Sequence, residues 1–320
     1  MIYRLAIIII NYRTPHFIKD CLESLVRQIN PNHHRVVIVD NASGDGSDFE
    51  IEKHITVCGW TKCVTIERSP FNGGFAAGNN YGIRRIRAEA YLLLNSDTIV
   101  RPGAIEQLLE AYRRYPAVGL FSPRLEWSDG RPQESCFYHR KPYIEFFTAA
   151  RTKIVDQLFA AKGGPYPLPT KPIYPDWTSF ACVLIRYEVF KRIGLLDEGY
   201  FMYFDDMDFC QRAWASGIPT LHLPSSRVVH LRGGSSPTKQ LVAGKKRPPK
   251  YWYASRNRYY AKFYGHSGLW FANFCWYAGR LISLLREVLG LKKPHTCERQ
   301  WLDIWTNVRQ PLSKPNLLNR

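Results

Sequence analysis

The sequence predicts an α/β fold in which a mostly parallel sheet carries helices on both faces. Within the first 120 residues, short β-branched apolar segments alternate with segments of helical periodicity. Helix-start signals precede two of the helical segments, at Thr14-Pro15 and at Pro102. The predicted strands lie at residues 4–10, 35–40, 63–67 and 90–95.

Beyond residue 117 this alternation gives way to a less regular pattern. Residues 118–121 resemble a strand, and residues 128–131 have the composition of a hairpin turn. The Pro- and Gly-rich residues 161–176 predict a loop that covers a site. Residues 183–193 and 208–216 fit either a helix or a strand followed by a helix.

Positive charge is concentrated in the later part of the chain. The 320 residues carry a formal net charge of +17, and residues 227–299 hold 15 Lys and Arg against only Glu287 and Glu298. Such a segment usually meets phosphate, either in nucleic acid or in anionic lipid. Because it forms no RNA- or DNA-reading motif, we expect no nucleic-acid partner.

The cysteines and the apolar segments both predict a cytoplasmic protein. The eight cysteines show no C-x-x-C pair or zinc-type spacing, so we expect reduced and mostly buried thiols. The first apolar segment, Leu5 to Ile10, is too short for a secretory signal. No segment reaches the roughly 20 apolar residues of a transmembrane helix.

Two segments in the first half of the chain suggest contact with a nucleotide. Asp40 follows a predicted strand, where a carboxylate can accept hydrogen bonds from a base or a ribose; a simple helix cap is the alternative. The segment from Asn72 to Gly82 is rich in glycine and amides and leads into a helix, which favours a phosphate. An ordinary turn before a helix explains it equally well.

Two acidic clusters suggest the chemistry. Asp97 ends a buried strand, a position at which open α/β sheets bind ligands and a carboxylate can hold a divalent cation. Asp205, Asp206 and Asp208 crowd together, so at least one of them should have a raised pKa, as suits a general base. The alternatives are a strand-ending turn and a solvated acidic helix start.

Histidines and cations follow these acids. His230, which precedes a Gly/Ser-rich segment, can complete a metal site with Asp97, whereas a lone histidine such as His222 is more often structural. Lys250 and Arg256 lie on a basic, aromatic helix face that can clamp a diphosphate or can simply be solvated.

Read in order, these segments resemble the inverting glycosyltransferases of family two, especially bacterial rhamnosyltransferases. The resemblance covers roughly residues 4–265, and the ordered set is far more specific than any one member. The matching segments are residues 7–12, 37–43, 72–82, 94–97, 102–105, 176–186, 201–212, 230–233 and 250–257.

The resemblance implies a GT-A fold, a Rossmann-like mixed sheet that binds a nucleotide-diphosphate sugar and a divalent cation, Mg²⁺ or Mn²⁺. It implies that Asp206 is the catalytic base with Asp205 in support, and that Asp97 and His230 serve the metal. The implied donor contacts are Asn11, Tyr12, Asp40, Asn72, Gly74, Asn79, Asn95, Asp97, Lys250 and Arg256. The implied acceptor contacts are Trp177, Phe180 and Asp208.

Three positions depart from the family pattern. Asn95 replaces the first acid of the common Asp-x-Asp motif, so metal ligation rests on one carboxylate. Asp205 stands where glutamate is usual, and Phe180 occupies a position that is commonly glycine. The last change alters the expected acceptor pocket.

By resemblance, the expected activity is transfer of L-rhamnose from dTDP-rhamnose to a glycan or a polyprenyl-diphosphate-linked glycan during cell-envelope polysaccharide synthesis. A UDP-sugar donor and a non-catalytic scaffold are the alternatives. We expect a catalytic domain at residues 1–265 and a helical, basic and aromatic extension at residues 266–320. Because this extension is amphipathic and Trp-rich, it predicts peripheral attachment to an anionic membrane surface, with packing on the catalytic domain as the alternative.

Overall fold

The protein is described here from a computed structural model, in which residues 2–152, 164–231 and 238–313 are placed. The chain divides into two compact units. Unit 1 comprises residues 1–137, 166–198 and 205–235, and unit 2 comprises residues 138–165, 199–204 and 236–320.

Strands of unit 1 form one mixed sheet and one short antiparallel pair. In sheet order the large sheet reads β3-β2-β1-β4-β9-β6-β10-β5, and β7 pairs with β8. The strands are β1 (Tyr3–Asn11), β2 (His34–Asp40), β3 (Val64–Arg68), β4 (Ala88–Leu94), β5 (Thr98–Val100), β6 (Leu120–Glu126), β7 (Cys136–Phe137), β8 (Trp177–Thr178), β9 (Cys182–Arg186) and β10 (Thr220–His230).

The predicted parallel core of the sheet is confirmed. Strands β1 to β4 coincide with the four predicted strands to within two residues at each end and pair in parallel. The sheet becomes mixed at β9, which runs antiparallel to both β4 and β6. The edge strand β5 is also antiparallel to its neighbour β10. Residues 128–131 form the expected turn after β6, closed by a hydrogen bond from Trp127 N to Arg131 O of 2.8 Å.

Helices follow most of the strands, as the sequence pattern predicts. Residues 183–193 are a strand followed by a helix, whereas the helix predicted around residues 208–216 begins at Asp205, so the three acids lie in its first turn. The helices are α1 (Pro15–Val26), α2 (Ser47–Val57), α3 (Gly74–Arg85), α4 (Ala104–Arg114), α5 (Ile144–Ala150), α6 (Tyr187–Ile193), α7 (Asp205–Ala215), α8 (Thr238–Ala243), α9 (Lys250–Val288) and α10 (Gln300–Asp303).

Alternation along β1 gives the sheet a core on each face. Ile7 and Ile9 are buried in one cluster with α1, whereas Ala6 and Ile8 are buried in the other with α3. On the second face a Cβ at Gly82 would lie 2.7 Å from Ile8 Cγ2, so only glycine lets α3 approach β1 this closely. The later glycines of the predicted phosphate loop therefore serve helix–sheet packing.

Unit 2 is helical and larger than the predicted extension. Its core contains Tyr253 and Trp276, which come from opposite sides of a break in α9 at Gly265. The predicted boundary at residue 265 thus falls inside a helix whose two halves contribute to the same core, and the structural boundary lies earlier. A Cβ at Gly279 would lie 2.2 Å from the backbone oxygen of Phe146. Only glycine therefore lets the backbones of α9 and α5 pack this closely.

A buried ionic cluster holds unit 2 together. The carboxylate of Glu145 accepts hydrogen bonds from Arg140 Nη2 at 2.7 Å and Tyr260 OH at 2.7 Å, and Arg256 Nη2 lies 3.1 Å from its other oxygen. Burial by itself would raise the pKa of Glu145, but the charges of Arg256 and Arg140 outweigh it and lower the pKa to about 2. The cluster therefore stabilises unit 2 only while Glu145 is ionised.

Glu145→Gln should lower the free energy of unfolding by about 3–5 kcal/mol at neutral pH, because the buried Arg256 and the half-buried Arg140 guanidinium groups lose their counter-charge. In the native protein this stabilisation is present above the ordinary carboxyl pKa of 4.5 and is lost as pH falls towards 2. Urea unfolding monitored by circular dichroism measures both effects. Glu110→Gln, at an exposed position of α4, is the matched control and should change stability by less than about 0.5 kcal/mol. Equal stability of the two variants would contradict the assignment.

Candidate active site

Two predicted donor residues meet at the carboxyl ends of β1 and β2. Asn11 pairs with Asp40 in the sheet register, and its Nδ2 donates to Asp40 Oδ1 and to Ser47 Oγ, each at 2.8 Å. Asp40 also accepts from Ser43 N at 3.1 Å and from Ser43 Oγ at 2.6 Å. Both side chains are buried, so this network shapes the edge of the sheet, and contact of Asp40 with a base stays a prediction.

Tyr12 and Arg13 continue this edge into solvent. Tyr12 is 40% exposed, and the Arg13 guanidinium lies 5.2 Å from the centre of its ring. Arg13 has a left-handed backbone (φ 58°) and donates from Nε to Ser43 O at 2.9 Å. Arg13 is not among the predicted site residues. Its position directly after Asn11 and Tyr12, which are predicted donor contacts, is the sequence feature that indicates it.

The amide-rich segment before α3 divides between the site and the core. Asn72 Oδ1 accepts from Asn41 Nδ2 at 2.9 Å and from Gly74 N at 3.0 Å, so Asn72 and Gly74 lie beside the end of β2. Asn79 is buried, and its amide donates to Phe75 O within the helix. Asn72 and Gly74 therefore lie beside Asn41 at the edge of the sheet, whereas the Asn79 amide bonds within its own helix, and donor contact of all three stays a prediction.

Asp97 is a fully buried carboxylate after β4. Among the described residues 2–152, 164–231 and 238–313, neither of its oxygens has a hydrogen-bond partner. His230 Nε2 lies 3.6 Å from Asp97 Oδ1, and His230 Nδ1 also has no hydrogen-bond partner. A carboxylate that is buried without donors is costly unless a cation or a proton compensates it. The predicted pairing of Asp97 with His230 is thus present in the structure.

Sheet pairing brings these two distant residues together. His230 pairs with Thr98 where β10 meets β5, and Leu231 N donates to Asp97 O at 2.9 Å. Gln133 Nε2 donates to His230 O at 2.7 Å and fixes the end of β10. Gln133 carried no sequence signal, because its role depends on a contact across 97 residues.

The chemistry of Asp97 and His230 suits a divalent cation. In the described ranges, no group of three or more His, Cys, Asp or Glu side chains is arranged to hold a metal ion. Asp97 and His230 supply two ligand atoms, and Mg²⁺ or Mn²⁺ commonly takes its remaining ligands from water and substrate phosphates. The residues present therefore fit a metal that is completed by a diphosphate.

The three acids of α7 have three different environments. Asp205 is buried, its Oδ2 has no partner, and burial first, then the charges of Asp206 and Asp208, raise its pKa well above the ordinary value. Asp208 is fully buried and accepts from Arg212 Nε at 2.6 Å. Asp206 is only partly buried. Burial is thus the first cause of a raised pKa in this cluster and crowding the second, and the residue whose pKa is raised is Asp205.

The backbone before these acids is strained. Tyr203 and Phe204, which directly precede Asp205, both have left-handed φ angles, 69° and 64°. Two successive non-glycine residues of this kind cost free energy and concentrate at functional sites.

Short contacts place both acidic clusters at one edge of the sheet. Leu94 pairs with Cys182, and Asn95 N donates to Ala181 O at 2.9 Å, so β9 begins where β4 ends. Phe180, just before β9, packs against Phe209 of α7 with ring centres 5.7 Å apart. The start of α7 therefore lies over the strand ends that Asp97 follows.

Two of the predicted acceptor contacts have buried side chains, and their contact with an acceptor stays a prediction. Phe180 is buried in the core between β9 and α7, and Asp208 is held in its ion pair with Arg212. Trp177 remains a candidate, since it is partly exposed and stacks on Phe137 at 4.2 Å. The positions of the Phe180 and Asp208 side chains are set by contacts with residues of α7, Phe209 and Arg212.

The two predicted diphosphate helpers lie in unit 2. Arg256 is buried and bonded to Glu145, Asn257 and Asn273, so its ion pair replaces the predicted diphosphate contact. Lys250 is exposed in the first turn of α9.

The predicted covering loop is only partly described. Residues 161–163 lie outside the described residues. Further along, Ile173 and His222 exchange two backbone hydrogen bonds of 3.3 and 2.9 Å at the start of β10, the opposite end of that strand from His230. Burial lowers the pKa of His222 to about 4, and its Nδ1 bonds Ser122 Oγ, so His222 is a structural histidine.

The chain is similar in sequence to known glycosyltransferases. Residues 6–160 match the family model "Glycosyl transferase family 2". The N-acetylglucosaminyl-diphospho-decaprenol L-rhamnosyltransferase of Mycobacterium tuberculosis is 26% identical over 205 residues, 58% of this chain and 58% of that protein. The low-salt glycan biosynthesis hexosyltransferase Agl10 of Haloferax volcanii is 30% identical over 222 residues, 68% of this chain and 64% of that protein. The chain thus spans less than two thirds of each relative.

The fold is similar to that of solved glycosyltransferases. The mannosyltransferase PcManGT of Pyrobaculum calidifontis, solved with GDP-Man and Mn²⁺, superposes with a TM-score of 0.57 at 15% identity. The match covers 97% of this chain and 86% of that chain. At 15% identity it shows similarity of fold and no more. With the family match, the relatives and this fold in agreement, residues 6–160 form a glycosyltransferase family 2 domain, and the chain adopts the GT-A fold.

Proposed function

We propose that this protein is a metal-dependent inverting glycosyltransferase that moves L-rhamnose from dTDP-rhamnose to a hydroxyl of a glycan or a lipid-linked glycan. The observation that carries the proposal is the buried, unpartnered Asp97 carboxylate beside His230, at the sheet edge where α7 begins. The name of the M. tuberculosis relative supports rhamnose as the sugar. A UDP-sugar, with galactose, galactofuranose or N-acetylglucosamine, is the alternative donor.

In this proposal Asp97 and His230 hold a divalent cation, Mg²⁺ or Mn²⁺, against the donor diphosphate. The Mn²⁺ in the complex of the Pyrobaculum mannosyltransferase supports this. When bound, the cation offsets the negative charge that develops on the leaving diphosphate. Asp97 is suited to this role because its carboxylate is buried and its two oxygens accept no hydrogen bond from the part of the chain that the structure describes.

Asp206 is the proposed general base. Asp205 is disfavoured because burial raises its pKa and so opposes its ionisation, and Asp208 because it is held in an ion pair with Arg212. Asp206 takes the proton from the acceptor hydroxyl, the acceptor oxygen attacks the anomeric carbon from the face opposite the diphosphate, and the glycosidic bond to the diphosphate breaks. Configuration inverts in this single displacement, and no covalent enzyme intermediate forms.

The proposed acceptor is a glycan carried on a polyprenyl diphosphate, which places the protein peripherally on the inner face of the cytoplasmic membrane. The decaprenol-linked substrate in the name of the M. tuberculosis relative supports this class of acceptor. Synthesis of a cell-envelope polysaccharide such as lipopolysaccharide is the corresponding process.

The donor is identified by thermal unfolding with dTDP-, UDP- and GDP-sugars, each with and without Mn²⁺. We expect dTDP-rhamnose with Mn²⁺ to stabilise most, by about 2.7 kcal/mol at roughly 100 times its Kd. Asp97→Asn should abolish the Mn²⁺-dependent part, because the carboxylate that attracts the cation is gone. Asp20→Asn, at an exposed position of α1, should retain it. Larger stabilisation by a UDP-sugar would replace the rhamnose proposal, and an unchanged Mn²⁺ effect in Asp97→Asn would refute the metal site.

Asp206→Asn should lower kcat by about 10²–10⁴-fold, since an amide cannot accept the acceptor proton. Donor binding, measured by the same thermal shift, should remain. The exposed Asp20→Asn variant again serves as the control and should keep full turnover. Turnover within about tenfold of the native enzyme would remove Asp206 from the role of base.

Asp205→Asn should raise the free energy of unfolding at pH 7, because it removes a carboxyl whose ionisation is opposed by burial. A raised pKa means that the folded state holds a proton which the unfolded chain releases near pH 3.8, so this group costs stability as pH rises above that value. Urea unfolding from pH 4 to pH 8 measures the effect. The variant should lose stability less steeply with rising pH than the native protein, and a parallel pH dependence would contradict the assignment.

A further inference from the structure

Unit 2 exposes a continuous row of large apolar side chains, here called the apolar face. Along the second half of α9 the exposed positions recur every three or four residues over about five helical turns. Phe274 is 67% exposed and Val288 is 79% exposed. The apolar face consists of Trp270, Phe271, Phe274, Tyr277, Leu281, Leu284, Leu285, Val288, Leu289, Leu291, Trp301 and Leu302.

The opposite side of the same helix is already packed. Leu269, Ala272 and Trp276 are buried, and Gly279 lies against Phe146 of α5. The sequence alternatives of a packed helix and a membrane-binding helix are therefore not exclusive: one stripe of α9 packs within unit 2, and a second apolar stripe stays open. Proteins that act only in water rarely expose so large an apolar patch.

The apolar face is held rigidly by the chain that follows α9. Lys292 Nζ donates to Ala150 O at 3.1 Å, and Trp305 Nε1 donates to Tyr277 OH at 2.9 Å. The ring of Trp305 also packs edge-on against Trp270, with ring centres 4.9 Å apart. The face is thus formed before any partner arrives, and a partner binds it without ordering the helix.

The charge around the apolar face is positive. Lys293 and Arg299 are exposed in the segment that follows α9, and Lys245 lies beside Glu298 through a backbone hydrogen bond of 3.1 Å. Glu287 is occupied by Arg280 through two short bonds of 2.6 and 2.9 Å. A second copy of this chain would bring like charges together around the contact, whereas anionic headgroups complement them.

We propose that the apolar face docks on an anionic lipid bilayer and lies in its interface, with Trp270 and Trp301 at the depth of the headgroups and Lys293 and Arg299 against lipid phosphates. In the part of the chain that is described, no helix has the length and apolarity needed to cross a bilayer, so the helix lies in the plane of the surface. Docking through the apolar face rests on the peripheral membrane placement of the proposed function and does not depend on the identity of the donor sugar.

The test is flotation of the full chain with vesicles of three parts phosphatidylcholine to one part phosphatidylglycerol. Phe274→Gln with Leu285→Gln should weaken partitioning by about tenfold or more, because two inserted side chains are lost. Phe49→Gln with Val57→Gln, which changes two equally exposed apolar residues of α2 (68% and 77%), is the matched control and should bind as the native chain does. Circular dichroism of all variants should be unchanged, since each altered side chain is exposed.

The electrostatic part is tested with Lys293→Gln and Arg299→Gln. Each should weaken binding by about fivefold on the anionic vesicles and have little effect on pure phosphatidylcholine. Light scattering without vesicles should give a monomer. Full flotation of the Phe274→Gln, Leu285→Gln variant would overturn the proposal. A native chain that is dimeric in light scattering, with a monomeric variant, would also overturn it, because the apolar face would then be a dimer interface. Loss of flotation with unchanged donor stabilisation would separate docking from the proposed catalytic function.

Discussion

A buried carboxylate without hydrogen-bond donors is the constraint on which the site depends. Asp97 is fully buried, its oxygens have no hydrogen-bond partner in the described residues, and His230 Nε2 lies 3.6 Å from Oδ1. Evolution and folding normally avoid such a group, because desolvation of an unpaired charge is costly. In the proposed function a ligand that brings positive charge compensates this carboxylate, and the antiparallel pairing of β5 with β10 places His230 beside it.

The acids of α7 illustrate how environment divides one cluster among several roles. Three carboxylates lie within one helical turn, yet burial raises the pKa of Asp205, Arg212 pairs with Asp208, and Asp206 remains partly exposed. The ion pair of Asp208 also ties α7 to the segment after α6, because Arg212 donates to Ile193 O at 2.7 Å and Leu195 O at 3.1 Å. The strained residues before Asp205 are tolerated because this anchoring holds the helix start in place.

Unit 2 uses charge and apolar surface in separate places. Two of its cations, the half-buried Arg140 and the buried Arg256, share the single counter-charge of Glu145, so they contribute to folding. The cations around the apolar face are exposed instead, beside side chains that water solvates poorly. The cations of unit 2 therefore have two roles: some stabilise the fold through ion pairs, and the exposed ones can contact phosphate groups outside the protein.

The sequence by itself determined the parallel half of the sheet, the helices that follow its strands and the candidate carboxylates Asp40, Asp97 and Asp206. These follow from local periodicity and from strand ends, which are properties of neighbouring residues. The roles of Phe180, Asp208 and Arg256 were decided only by the tertiary structure, because each depends on partners far along the chain that no local pattern contains. The same is true of Gln133 and of the two-sided helix α9: which apolar stripe is packed and which is open is set by the contact with α5, a choice made by folding rather than by periodicity.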